Sequence, residues 1–314
     1  MPDRTWTPAA SDPAVPPTGS GEAHPAHPWH RFVAIGDSFT EGVGDPDPEV
    51  EGAFRGWADR TAIELGRTVP DFEYANLAVR GRLYRQILDE QLEPALALDP
   101  DLVSICAGGN DVLRRADPDV IAAEIDSAVD KLAATGADLI LWAAPDIGST
   151  PVLNLIRGRA AIYNENMRAI AQRHHAVVVD MWALRELTHE SMWAPDRLHF
   201  SPLGHRTIAA RVLDTLGVEH ELAPPGLTTP EQRSWSARRQ EDLHWAREYF
   251  GPWVLRRLRR QSSGDHVAPK RPSAAPVFGH PMPPGSAVSP SEEHEADPGS
   301  GPAGVEDPPG APES

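Results

Sequence analysis

The chain has 314 residues, a formal net charge of −17, 33 prolines and one cysteine. Such acidity favours solubility and argues against a nucleic-acid-binding core. The lone Cys106 excludes an intrachain disulfide, and no run of about 18 apolar residues is available to cross a bilayer.

In chain order, residues 1–29 are rich in Pro, Ala and Gly and almost without periodic apolar residues, so they read as a disordered tail. They carry no basic region followed by an apolar stretch, and the expectation is a cytoplasmic protein without a secretory leader. Residues 30–217 alternate short apolar runs with longer amphipathic stretches. RFVAI (31–35), FEYANLAV (72–79), DLVSICA (101–107), ADLILWAA (137–144) and HAVVVDMW (175–182) are near-continuous, as strands buried on both faces must be. Cys106 belongs to one of them and reads as a small buried hydrophobe. Helices are predicted between these runs, over 58–65, 83–98, 118–133 and 158–173. Strand alternating with helix implies parallel pairing through right-handed crossovers, hence a three-layer α/β/α sandwich around a mostly parallel five-stranded sheet.

Residues 218–261 form a Trp- and Arg-rich extension. Thr229-Pro230-Glu231-Gln232 supplies a helix cap, a first-turn proline and a capping-box glutamine. WVLRRLRR (253–260) is a basic amphipathic element, which either touches an anionic membrane surface or packs on the core with its arginines solvated. The second is the simpler expectation. Residues 262–314, rich in Pro, Gly and Glu, read as an acidic tail that is removable without loss of stability.

Four polar blocks fall where strands end or helices begin. GDSFTEG (36–42) ends the first strand, NLAVRG (76–81) the second and GGND (108–111) the third, while DRLHFSPLGH (196–205) precedes the last helix. In parallel sheets, ligands bind beyond the carboxyl ends of the strands. A serine hydroxyl is a weak nucleophile until a base, usually a histidine oriented by a carboxylate, removes its proton. Ser38, His199 and Asp196 could form that set, since Asp196 and His199 are separated by one turn of chain. Taken singly, each residue has a plainer reading: Ser38 as a helix cap, Asn110 as a turn cap, Gly81 as relief of backbone crowding, and His199 as a surface imidazole.

Together the four blocks resemble the SGNH (GDSL-type) hydrolase family, and the resemblance covers nearly all of residues 31–217. It implies a flavodoxin-like sandwich and hydrolysis of a carboxylic ester, or of a thioester, through an acyl-serine without metal or cofactor. It assigns Ser38 as nucleophile, His199 as base and Asp196 as its orienting carboxylate. The oxyanion donors it implies are the backbone N–H groups of Ser38 and Gly81 and the side-chain amide of Asn110. Lipid esters, acylated sugars and acyl-thioesters all fall within the family's range. The sequence departs from the family pattern in reading GDSFT for GDSL, and in placing Arg80 before Gly81, where a solvated guanidinium is expected.

Other motifs fail on inspection. An α/β-hydrolase elbow requires glycine where Thr40 stands, and a dinucleotide fingerprint requires glycine at Asp47. Asp45-Pro46-Asp47 reads as a solvated acidic loop. Two rival classes stay open: a metal-dependent hydrolase using Asp196, His199 and His205 as ligands, and a non-catalytic interaction protein.

Overall fold

The computed structural model describes residues 27–148, 153–222 and 262–278, with residues 226–227, 239–240, 243–245, 247–248 and 251 between them. Five strands pair in parallel: β1 (Arg31–Gly36), β2 (Glu73–Asn76), β3 (Leu102–Cys106), β4 (Asp138–Ala143) and β5 (Val177–Asp180). Their side chains alternate between two apolar layers, because successive residues of a strand face opposite sides. Phe32 and Ala34 of β1 pack with helices α2 (Gly56–Gly66) and α7 (Pro202–Leu216). Val33 and Ile35 pack instead with α3 (Tyr84–Ala97), α5 (Pro118–Ala133) and α6 (Arg157–His174). Helices on both faces of a parallel sheet make the expected three-layer α/β/α sandwich.

Local chemistry sets several of these boundaries. Asp117 caps α5 by accepting from the N–H of Asp119 at 3.0 Å, with Pro118 at the first helical position. Ser201 and Pro202 repeat the arrangement at α7, which Gly217 closes in the left-handed conformation. The short helices α1 (Ser38–Glu41) and α4 (Gly109–Leu113) follow β1 and β3 directly, so two of the polar blocks are single turns at strand ends.

Among the described residues the sheet has six strands rather than five, in the order β5-β4-β3-β1-β2-β6. The sixth, β6 (Arg271–Pro276), runs antiparallel to β2 with Tyr74 opposite Ala275, and it comes from the segment read as a removable tail. Its prolines fit only at a sheet edge, where an absent N–H costs no ladder bond. What holds it is charge: Lys270 and Arg271 are buried, the first against Asp59 and the second on the backbone carbonyls of Tyr74, Ala275 and Pro276.

The amino-terminal boundary also moves. Trp29 is buried in the α2/α7 layer and its indole N–H donates to Asp138 at 2.7 Å, so the ordered fold begins before residue 30. The helix start at residues 229–232, the basic element 253–260 and the acidic residues after 278 lie outside the described residues. Among the described residues no helix is long and apolar enough to cross a membrane.

Candidate active site

The carboxyl end of β1 is fixed by a residue that the sequence did not single out. Buried Gln91 on α3 accepts from the Gly36 N–H at 2.8 Å and donates to the Gly36 carbonyl at 2.9 Å. Asp37 follows and caps α1, its Oδ1 accepting from the Phe39 N–H at 3.1 Å. Ser38 is therefore the first residue of that turn.

The second arm arrives from Asp196–His199, after β5. Gly44 lets it approach: at φ +100 a side chain is strained, and a Cβ there would stand 2.2 Å from the Phe200 carbonyl and 3.2 Å from the His199 Cβ. His199 Nε2 lies 3.0 Å from Ser38 Oγ, and His199 Nδ1 lies 2.6 Å from Asp196 Oδ2. Burial works to raise the Asp196 carboxyl's pKa, but the His199 ring and the N–H groups of His199 and Leu198 outweigh it and hold it below the ordinary value. An ionised carboxylate only accepts, so Nδ1 carries the proton and Nε2 is left to accept from the serine hydroxyl.

Two contacts brace this turn from outside the core. Trp245 donates from its indole to the Asp196 carbonyl at 2.8 Å, and the Arg197 guanidinium lies 5.4 Å over the same indole ring. Arg197 itself takes the left-handed conformation, φ 57.

Asn110 and Ser38 both line one cleft. The Asn110 amide donates to Asp37 Oδ2 at 2.9 Å and to the Arg82 carbonyl at 3.0 Å, so both its protons are engaged. Gly81 sits on the turn after β2, left-handed at φ +75, with the Ser262 and Ser263 side chains against its Cα. The Arg80 side chain is not solvated. It is ion-paired with the buried Glu41 of α1, Nε to Oε1 at 2.9 Å, while the Arg80 N–H donates to Oε2 at 2.7 Å. Asp45 of the acidic loop is likewise buried rather than solvated: it is 1% exposed and takes a bidentate bond from Arg60 at 2.9 and 3.0 Å, while Pro46 beside it is exposed.

Two buried titratable groups stand close to Ser38. Burial pushes the Asp37 carboxyl up to about 6, against the Phe39 N–H and the His199 ring, which favour its ionised form. His205 is wholly buried and stacked against Phe39. Its Nδ1 accepts from the Trp57 N–H at 3.2 Å and its Nε2 donates to the Val43 carbonyl at 3.2 Å, while burial lowers its pKa to about 3. With both nitrogens so engaged, His205 does not join His199 and Asp196 in a ligand set. Among the described residues no group of three His, Cys, Asp or Glu side chains could hold a metal ion.

The cleft beside Ser38 has a volume of about 180 Å³. Its walls are chiefly apolar, with Phe39, Val112, Trp142, Ile156, Met181 and Trp193 among them. Cys106 forms part of the wall, with burial raising its thiol pKa well above the ordinary value.

A serine hydroxyl, an imidazole and a carboxylate joined in series at the carboxyl edge of a parallel sheet make an arrangement suited to acyl transfer. Residues 34–207 match the GDSL-like lipase/acylhydrolase family, and the chain belongs to it. It is an ester-bond hydrolase. The acetylxylan esterase of Geobacillus stearothermophilus is 28% identical over 221 residues, spanning 64% of this chain and 96% of that one. An alpha/beta hydrolase enzyme from the metagenome of Lake Arreo, Spain, superposes with a TM-score of 0.50 at 25% identity, covering 60% of this chain and 95% of that one. TesA superposes with a TM-score of 0.50 at 23% identity over 59% and 97% of the two chains, a likeness of fold.

Proposed function

We propose that the chain hydrolyses carboxylic esters through an acyl-serine at Ser38, with His199 as the base and Asp196 as its orienting group. The observation that carries this reading is the series of contacts from Ser38 Oγ to His199 Nε2 at 3.0 Å and from His199 Nδ1 to Asp196 Oδ2 at 2.6 Å. Ser38 Oγ attacks the carbonyl carbon and its proton passes to Nε2. The N–H groups of Ser38 and Gly81 and an Asn110 amide proton stabilise the oxyanion. The tetrahedral adduct expels the alcohol, which takes the proton from His199. Water then attacks the acyl-serine, giving its proton to Nε2, and the carboxylic acid leaves as Ser38 is restored.

Asn110 reaches the oxyanion only by exchanging one of its two present acceptors, Asp37 or the Arg82 carbonyl. Exchange of the neutral Arg82 carbonyl is the favourable one, because the developing oxyanion carries a full charge and a charge-assisted bond is roughly twice as strong as a neutral one.

The apolar walls of the cleft favour an acyl chain longer than acetyl. Each methylene that such walls bury contributes up to about 0.8 kcal/mol, so kcat/KM on p-nitrophenyl esters should climb by up to roughly fourfold for each methylene buried between acetate and octanoate. The similarity to an acetylxylan esterase supports a second reading, removal of acetyl groups from a carbohydrate. Highest activity on acetate and on acetylated oligosaccharide would establish that reading in place of the first. Failure of a phosphonate to label Ser38 in a 1:1 ratio would remove both.

A further inference from the structure

We propose that the turn Ser262–Asp265, supplied by the segment after the extension, is a positioning element for the Gly81 donor. The inference rests on the reading of the Gly81 N–H as part of the oxyanion hole. The Arg80 carbonyl and the Gly81 N–H belong to one peptide unit, and that unit is planar, with the two groups pointing in opposite directions. Whatever fixes the carbonyl therefore fixes the direction of the N–H.

Gly264 is placed to do this. A Cβ built on it would stand 2.0 Å from the Arg80 oxygen and 3.1 Å from the Arg80 carbonyl carbon, so its backbone lies directly against that carbonyl. Beside it, the Ser262 Oγ would stand 2.4 Å, and the Ser263 Oγ 3.0 Å, from a Cβ on Gly81. At the other end of the residue, the Arg80 N–H is held by Glu41 at 2.7 Å. Glycine at position 81 makes rotation of the adjoining peptide cheap, because no Cβ opposes it. A flip would turn the donor away from Ser38, and the turn packed on the Arg80 carbonyl and on Gly81 restricts that rotation.

The turn is stiff enough for the task. The Ser262 N–H donates to Asp265 Oδ2 at 2.8 Å, the Gly264 N–H to Ser262 Oγ at 3.2 Å, and the Asp265 N–H to the Ser262 carbonyl at 3.2 Å. The chain continues into Lys270 and β6, whose buried ion pair and strand pairing anchor it to the core. Donors aimed in advance at the developing charge supply much of the acceleration of acyl transfer, so loss of aim at one donor lowers kcat with little change in KM.

The test is Gly264→Ala in the full chain. Gly264 does not lie in the left-handed region, so alanine brings no strained φ of its own, but its Cβ clashes with the Arg80 carbonyl and forces that carbonyl to shift. The expected result is a fall in kcat of roughly 10- to 100-fold with KM within about twofold, and an equal slowing of phosphonate labelling at Ser38. If the variant fails to fold, Ser262→Ala, which removes only the hydroxyl at the heart of the turn, should lower kcat by roughly 3- to 10-fold. Wild-type kcat and labelling rate in whichever folded variant is measured would overturn the proposal.

The Gly81 amide proton gives a readout independent of turnover. In wild-type protein it should move downfield when Ser38 is phosphonylated, and in Gly264→Ala it should move much less. Equal movement in both refutes the positioning role alone; no movement in wild type refutes the Gly81 donor as well.

Discussion

Lys270 and Asp59 form an ion pair of 2.7 Å in which both side chains are 7% exposed, tying the entry to β6 to helix α2. Burial works to raise the Asp59 carboxyl's pKa, and the ammonium of Lys270 opposes it. The Tyr74 hydroxyl donates to the same carboxylate at 2.7 Å, and Lys270 also donates to the carbonyls of Phe54 and Arg55. Removing one partner of a buried pair strands the other, at a cost of about 3–5 kcal/mol. Lys270→Ala should therefore lower the unfolding free energy by that amount in urea melts. Lys270→Met combined with Asp59→Asn should recover most of it. Deleting residues 262–314 should lower the melting midpoint by roughly 6–20 °C for a domain of this size, and an unchanged midpoint would show that β6 adds nothing.

The contacts of His199 with Ser38 and Asp196 predict a graded loss of turnover. Ser38→Ala and His199→Ala should each reduce kcat by roughly 10⁴-fold or more, and Asp196→Asn by somewhat less. Steady-state kinetics on protein shown to be folded by circular dichroism decides the matter. More than a tenth of wild-type activity in Ser38→Ala would rule out the acyl-serine.

Asn110→Ala should show two effects at once. Loss of a transition-state donor should lower kcat by roughly 10²–10³ with KM nearly unchanged. Because the amide also bonds to Asp37 and the Arg82 carbonyl, stability should fall by about 1–3 kcal/mol. A lowered stability with normal kcat would leave Asn110 a purely structural residue.

Asp37 and His205 predict an acid-side stability profile in which two slopes oppose each other. His205 titrates near 6.5 when unfolded and about 3 when folded, so the unfolded state binds more protons between those values and stability is lost as pH falls. Asp37 moves the other way, from 3.8 unfolded to about 6 folded, so its contribution to stability decreases as pH rises through that interval. Each slope is at most about 1.4 kcal/mol per pH unit, and from pH 4 to 6 they largely cancel. Asp37→Asn should steepen the loss of stability on acidification in that window, and His205→Gln should flatten or reverse it. Denaturant melts at pH 4, 5, 6 and 7 test both; identical profiles in wild type and variants would mean that neither group titrates as its surroundings dictate.

The parallel core was legible because its strands are continuous runs of branched apolar residues and its site blocks are glycine, aspartate and asparagine at strand ends. The His199 arm was legible for a different reason: a carboxylate three residues before an imidazole needs only local chain to meet it. Strand β6 was not, since RPSAAP carries two prolines and no apolar alternation, and it pairs only because an edge position tolerates them. Lys270 and Arg271 escaped notice, and Asp45 was read as solvated, because charged residues ordinarily stay in water, and their partners Asp59, Tyr74 and Arg60 are distant or unremarkable in sequence. The bonds from Gln91 to Gly36 and from Trp245 to Asp196 have no local pattern at all.

The strand order has a consequence for biosynthesis. Strand β2 ends at Asn76, whereas its outer neighbour β6 begins at Arg271. At about 5–20 residues per second, a ribosome takes roughly 10–40 s to make the chain between them. By the later part of that interval the nascent protein has made every residue of the proposed active site up to His199, yet the outer edge of β2 still has no partner. An open edge accepts any extended segment, including β6 of a neighbouring chain on the same polysome. Pairing of β6 therefore closes this edge only once residue 276 has been made.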